Sequence, residues 1–292
     1  MSNVKRLDLA TITSNFDLKV EGDDLLYKPL GTQPFSEKAP YRTETYGIAL
    51  VYDGEVRLNA DLKEYQIKGP SIIVMGPEII RQWFSDGKSI KTVNVFFKEE
   101  FLVSGKSDVH FLKKFEFFGK TGIHHLTLDE SQFKQLGQLF VLIEGKFNGE
   151  DKYRFSVIRS IIEAILYEIE EIYQLQYTHE IHQLSQSELL TRNFKDLLSR
   201  SFHEYRAVQF YADSLFVNAK HLSQTLKDET GKTASEWINE MVMLEAKVLL
   251  QDDSLTVNQI TYQLNFADPS FFGKFFKRHE GKSPRQYRLE KA

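Results

Sequence analysis

The sequence predicts an α+β protein of two parts: an antiparallel β-barrel with helices behind it, then an all-α unit built as two similar helix pairs. Three observations carry that reading. Between Tyr46 and Phe97, apolar and β-branched residues alternate or run briefly between Gly, Pro and Asp-Gly breaks, the pattern of short antiparallel strands. From Phe133 to Ile172 the apolar period becomes helical. From Phe210 to Tyr287, a short apolar helix, a turn and a second helix with a basic front occur twice, and their N-cap residues Asn218 and Asp268 stand 50 positions apart by subtraction.

A chain of 292 residues suits two domains, each with its own core. It contains no cysteine, which excludes disulfides, thiolate metal sites and cysteine nucleophiles and agrees with a reducing cytoplasm. The first residues lack the apolar core of a signal peptide, and no run approaches the ~18 apolar residues of a membrane span. The net charge is -4, but its distribution is uneven: residues 270–292 hold 7 basic and 2 acidic side chains. A basic end on an acidic chain supports a nucleic-acid-facing surface; a solvated tail gives the same count.

Taken in order, residues 1–40 are weakly patterned. Ile48, Leu50 and Tyr52 alternate up to Asp53-Gly54, and Val56 and Leu58 alternate away, which reads as a hairpin. Tyr65 and Ile67 lead to Gly69-Pro70, Ser71–Met75 makes another strand, and Asp86-Gly87 a further turn before the run from Ile90 to Phe97. Such strands fit an antiparallel barrel or a double-sheet jelly roll. Phe133, Leu136, Leu139, Phe140 and Ile143 have helical spacing. Ile158, Ile161, Ile162, Ile165, Ile169 and Ile172 then make one stripe. That stripe either packs on the barrel or forms a coiled-coil-like seam between two copies, and the seam, hence a homodimer, is the favoured expectation. The boundaries follow: 1–177 (barrel about 20–120, helices about 129–177), a polar linker at 178–187, and 188–292.

In the last part, Tyr211, Ala212 and Leu215 make a short helix and Val217 sits in the turn. Leu222 and Leu226 then bury the back of a helix over about 218–228, whose front offers Lys220, Ser223, Gln224 and Lys227. Ile260 and Leu264 precede a turn at Asn265, which tolerates the left-handed conformation. Asp268 and Pro269 open a helix over about 269–279, with Phe272 and Phe276 behind and Ser270, Phe271, Lys274 and Arg278 elsewhere. Thr233 and Glu236 form a capping box that starts a rod from Ala234 to Gln251, roughly 27 Å long at about 1.5 Å per residue. Two helices about one DNA turn apart, near 34 Å, could be held by such a rod with its flanking turns.

These residues carry a specific resemblance. The segments Y-A-D-S-L-F-V-N-A-K-H-L-S-Q-T-L-K-D-E-T-G-K-T from Tyr211, E-A-K-V-L-L from Glu245, and F-A-D-P-S-F-F-G-K-F-F-K-R-H-E-G-K-S-P-R-Q-Y-R from Phe266 resemble the DNA-binding domain of the arabinose-regulator (AraC/XylS) family of bacterial transcription factors. The likeness covers about Leu189 to Arg288. It implies tandem helix-turn-helix units that enter the major groove of double-stranded DNA through Asn218, Lys220, Ser223, Gln224, Lys227, Ser270, Phe271, Lys274 and Arg278. It also implies a cupin-like N-terminal barrel that regulates and dimerises, and RNA polymerase as a partner. The chain departs from the family at Asn265, usually Gly, at Thr261, usually Ala, and at Val242, Gln224 and Lys274, usually Arg. Contact details therefore do not transfer.

A cupin-like barrel could also be an enzyme. Metal-dependent cupins need histidines in the barrel, and residues 1–109 contain none. His124 and His125 are adjacent, so in a strand they point to opposite sides. Five Gly-Lys-Ser/Thr tripeptides, starting at Gly87, Gly105, Gly119, Gly231 and Gly281, lack the glycine five residues earlier that a P-loop requires. No catalytic residue, metal or cofactor is expected. If the barrel binds a small effector, Arg42, Tyr46, Arg57, Trp83 and Asn94 are the candidate lining, although strand aromatics are more often core and arginines more often solvated. A sequence-specific regulator is the favoured function; a metal-free, isomerase-like cupin enzyme with a helical interaction domain is the alternative.

Overall fold

The computed structural model describes residues 24–34, 39–84, 88–103, 111–119 and 122–291. The chain divides into two compact units, one ending at His182 and the other built mainly from Gln183 onward.

Among the described residues the first unit holds seven strands: β1 (Leu25–Pro34), β2 (Tyr46–Ala60), β3 (Lys63–Lys68), β4 (Ser71–Met75), β5 (Arg81–Phe84), β6 (Ser89–Phe97) and β7 (His125–Thr127). Their order is β1-β6-β2-β4-β7, with β3 and β5 also on β2, and every pairing is antiparallel. The long β2 organises this unit. Its first half, Gly47–Val51, pairs with β4 and β6; its second half, Glu55–Ala60, pairs with β3 and β5.

Here the structure corrects the sequence reading. Asp53-Gly54 is not a hairpin turn but part of a register shift inside β2 between Val51 and Asp53. Gly54 has φ 94°, and a Cβ there would lie 2.2 Å from the Ser89 carbonyl oxygen, so glycine is required by both conformation and space. The shift also switches which face is buried. Ile48 and Leu50 join the cluster that the helices cover, whereas Val51, Val56, Leu58 and Ala60 join the cluster with Ile67, Ile73, Met75 and Ile90. The true hairpin turns between β2 and β3. There Asp61 has φ 49°, its amide donates to the Ile80 carbonyl at 2.7 Å, and its carboxylate accepts from the Ile80 amide at 3.0 Å.

A short helix α1 (Glu99–Val103) follows the sheet, and α2 (Glu130–Phe147) and α3 (Arg154–Gln183) come next. Asp129 and Gln132 cap α2 reciprocally. Leu136, Phe140, Ile143 and Phe147 from α2 and Ile158, Ile162, Ile165, Ile169 and Ile172 from α3 are buried in one cluster with Ile48, Leu50, Ile72 and Val74 of the sheet. Five of the six stripe residues are therefore core of their own chain and not an intersubunit seam, and Ile161 is half-buried. Each fully buried isoleucine contributes roughly 1.5–3 kcal/mol of burial, which a seam would provide only on association.

The second unit is helical: α4 (Gln186–Ser201), α5 (Val208–Ser214), α6 (Ala219–Thr230), α7 (Ala234–Leu250), α8 (Val257–Gln263), α9 (Pro269–Glu280) and α10 (Pro284–Lys291). The region expected as linker is helical on both sides of Ser185, whose hydroxyl caps α4 with Glu188 in return. The rod, α7, buries Trp237, Ile238, Met241, Val242, Ala246, Leu249 and Leu250. At 17 residues it is about 26 Å long.

Candidate nucleic-acid interface

The two outward helices, α6 and α9, are built by the same local rules. The Asn218 side chain accepts from the His221 amide at 2.7 Å, and the Asp268 carboxylate accepts from the Ser270 and Phe271 amides at 2.7 and 3.1 Å. Each cap satisfies donors that a helix start leaves open. Both helices end on glycine in the left-handed region, Gly231 at φ 75° and Gly281 at φ 83°, whose amides donate to Lys227 and Lys277. Leu222 and Leu226 bury the back of α6, and Phe272 and Phe276 that of α9. Every exposed, half-buried and buried position from Lys220 to Trp237 recurs from Ser270 to Tyr287. The turns ahead of them pass through Phe216 at φ 57° and Asn265 at φ 53°, and the first turn is one residue shorter.

The exposed faces differ in charge. On α6, Lys220, His221, Gln224 and Lys227 are exposed beside Asp228 and Glu229, and the Gln224 amide donates to Asp228 at 2.8 Å. On α9, Ser270, Phe271, Lys274, Lys277, Arg278 and His279 are exposed. Glu280, which would dilute that charge, is drawn back to Lys247 of α7 at 2.7 Å. Thus α9 presents the stronger field for an anion, and α6 a more neutral, hydrogen-bonding face. Ser223 is half-buried and Asn218 exposed at its cap. Two exposed residues absent from the candidate contacts, His221 and Lys277, occupy positions matching Phe271 and Lys227, and the 50-residue offset would have supplied both.

The candidate effector residues do not form one lining. Arg42 is buried, with Nε donating to the Glu78 carbonyl at 3.0 Å. Tyr46 lies on the helix-covered face, stacked on Phe97 at 5.7 Å and edge-on to Phe118 at 4.9 Å. Arg57 is partly exposed, 3.9 Å from Glu64 and over the Phe84 ring. Trp83 packs against the other cluster opposite Leu58. Asn94 is buried opposite Ala49 and donates to Thr92 at 3.0 Å. His124 is buried and His125 half-buried; desolvation holds both neutral, with the pKa of His124 pushed down to about 3 and that of His125 to about 4. His124 Nδ1 is 3.0 Å from the Phe117 carbonyl oxygen. Among the described residues, no group of three His, Asp or Glu could hold a metal ion, and no helix is long and apolar enough to cross a membrane.

Residues 211–290 match the family model of a helix-turn-helix domain. The HTH-type transcriptional activator RhaS of Enterobacter sp. (strain 638) is 23% identical over 226 residues, which are 67% of this chain and 81% of that one. Histidine kinase P4 of Formosa agariphila is 30% identical over 100 residues, 34% of this chain; the match spans only 7% of that much longer protein. Among solved structures, a Chromobacterium violaceum transcriptional regulator described with AraC-type DNA-binding-domain proteins is 23% identical. It covers 36% of this chain and 95% of its own, at a TM-score of 0.34, a score that adds no argument.

Proposed function

We propose that this chain is a sequence-specific transcription regulator that reads double-stranded DNA through α6 and α9, the outward helices of the helix-turn-helix domain matched at residues 211–290. One observation carries the reading: two capped helices with the same exposure pattern, 50 residues apart, joined by one buried rod. A repeat of this kind suits a ligand that itself repeats along its length, as duplex DNA does from one turn to the next. The relative aligned over most of this chain is named a transcriptional activator, which favours a regulator over the enzyme alternative.

In this reading Gln224 and Lys274, six positions past their N-caps, meet base edges. Lys220, Ser223, Lys227, Ser270 and Arg278 meet phosphates, and Phe271 offers an apolar contact. The N-terminal unit regulates and self-associates, in the cytoplasm, with RNA polymerase as the further partner that the resemblance implies. For a homodimer the outward face of α2 and α3 is better suited than the five buried isoleucines of the stripe. There Leu139, Val157, Ile161 and Ala164 line an open groove, and Val141 and Leu142 are exposed. An effector, if the unit takes one, meets Asn94 or Trp83 and not all five candidates together.

Selection from random duplex DNA by the purified chain tests the function. Enrichment of a bipartite sequence is expected. A pool that stays random after repeated rounds contradicts it.

A further inference from the structure

We propose that Arg206, in the loop between α4 and α5, is a positioning residue that holds the two DNA-reading helices in one relative placement, so that the protein accepts one spacing between the halves of its site. The inference rests on the DNA-binding reading above.

The loop touches both helix pairs within three consecutive residues. Toward the first pair, the Tyr205 ring lies parallel to Phe210 of α5 at 3.8 Å, and the Tyr211 hydroxyl donates to the Tyr205 carbonyl at 2.7 Å. Toward the second pair, the Arg206 guanidinium carbon sits 3.8 Å from the centre of the Phe266 ring, in the turn that leads into α9. Phe266 in turn packs on Phe272 and Phe275 of α9 at 5.2 and 5.1 Å. The neighbouring Asn265 side-chain Nδ2 donates to the Glu204 carbonyl at 3.5 Å. Tyr205 and Arg206 are adjacent, about 3.8 Å apart along the chain, so the loop has no slack between its two anchors.

The chemistry of the contact is a stack. Arg206 Nε and Nη2 are buried and make no hydrogen bond, so the flat guanidinium is held by the aromatic face. Lysine, a point charge on a flexible stem, would not reproduce it. The α7 rod is one link between the pairs, and the second pair is seated on it through Met243, Leu249 and Leu250 and through the Lys247–Glu280 ion pair. The Arg206 contact is a second link on a different line, and two links fix the phase. A fixed phase gives the second helix a high effective concentration at one half-site spacing and a low one at others.

Two measurements on the full chain test this. The chain has no cysteine, so Lys227→Cys and Lys277→Cys give two unique spin-label sites, both on exposed residues. Pulsed EPR should show one narrow distance distribution, at least doubled in width by Arg206→Ala, Arg206→Lys and Phe266→Leu alike. An unchanged width in any variant that still melts cooperatively overturns the proposal. The second measurement uses the selected duplex and a version with two base pairs inserted between its halves. Insertion should weaken the parent by about 30-fold or more, and Arg206→Ala by less than about 5-fold. Equal weakening of both duplexes by Arg206→Ala, with a salt slope flatter by about one unit, would make Arg206 a phosphate contact and overturn the positioning role. A parent that binds no duplex overturns the DNA reading along with this one.

Discussion

Ile165→Ala tests whether the isoleucine stripe is core. Ile165 is 0% exposed in the cluster shared by α2, α3 and the sheet. The substitution removes three carbon groups, worth about 2.4 kcal/mol at ~0.8 kcal/mol each, and leaves a cavity, so a loss of about 3–4 kcal/mol is expected. The two tryptophans make the assay clean, because Trp83 lies in the sheet unit and Trp237 in α7. In a Trp237→Phe background, urea unfolding followed by Trp83 fluorescence reports the sheet unit alone. The loss should be the same at 1, 10 and 100 µM protein. An intersubunit seam instead ties the loss to association, with about 1.4 kcal/mol for each tenfold dilution. A loss under about 1 kcal/mol, or one that changes with concentration, refutes the core assignment.

Three further outcomes follow from the same structure. Asp268→Ala removes the acceptor of two amides at the start of α9 and should cost about 1–2 kcal/mol in the unfolding of the helical unit, read by Trp237 fluorescence; no change would mean that Pro269 alone starts the helix. His124 and His125 are neutral in the fold, with pKa about 3 and about 4, and titrate near 6.5 when unfolded. The unfolded chain therefore binds more protons below pH 6.5, and the sheet unit should lose stability from about pH 6.5 downward, until the folded pKa values are reached. A urea midpoint that is flat between pH 6.5 and 5, above the range of most carboxylates, contradicts their burial. Arg278→Ala should weaken all duplexes alike and flatten the salt slope by about one unit; a loss confined to one sequence makes it a base contact.

The helical unit was more legible in the sequence than the sheet unit, for a physical reason. Caps, left-handed glycines and i, i+4 apolar pairs act within one helix, so Asn218, Asp268, Gly231, Leu222 and Phe272 can be read from neighbours a few residues away. The short helix α10 carries few apolar residues and is announced by Ser283 with Gln286, whereas α4 has Leu190, Phe194 and Leu198 at i, i+4 spacing beside its Ser185–Glu188 box. Asp53-Gly54 misled because a glycine at positive φ serves a bulge as well as a hairpin; the choice is made by pairing with β6, some 35 residues away. The isoleucine stripe misled because an apolar face is identical whether a sheet or a second copy covers it. The half-buried and buried strand residues Arg57 and Asn94 face opposite sides of their sheet, a consequence of register that no single strand displays.

In the proposed function α6 and α9 each read part of one DNA site. Binding of Gln224→Ala and Lys274→Ala to a panel of single-base changes in the selected duplex tests it most directly. Gln224 suits adenine N6 and N7, and Lys274 suits guanine O6 and N7. Each variant should lose discrimination of about 1–3 kcal/mol at one or two base pairs, and the affected positions should lie in different halves of the site. A uniform loss across the panel, or both variants relaxing the same half, contradicts the claim.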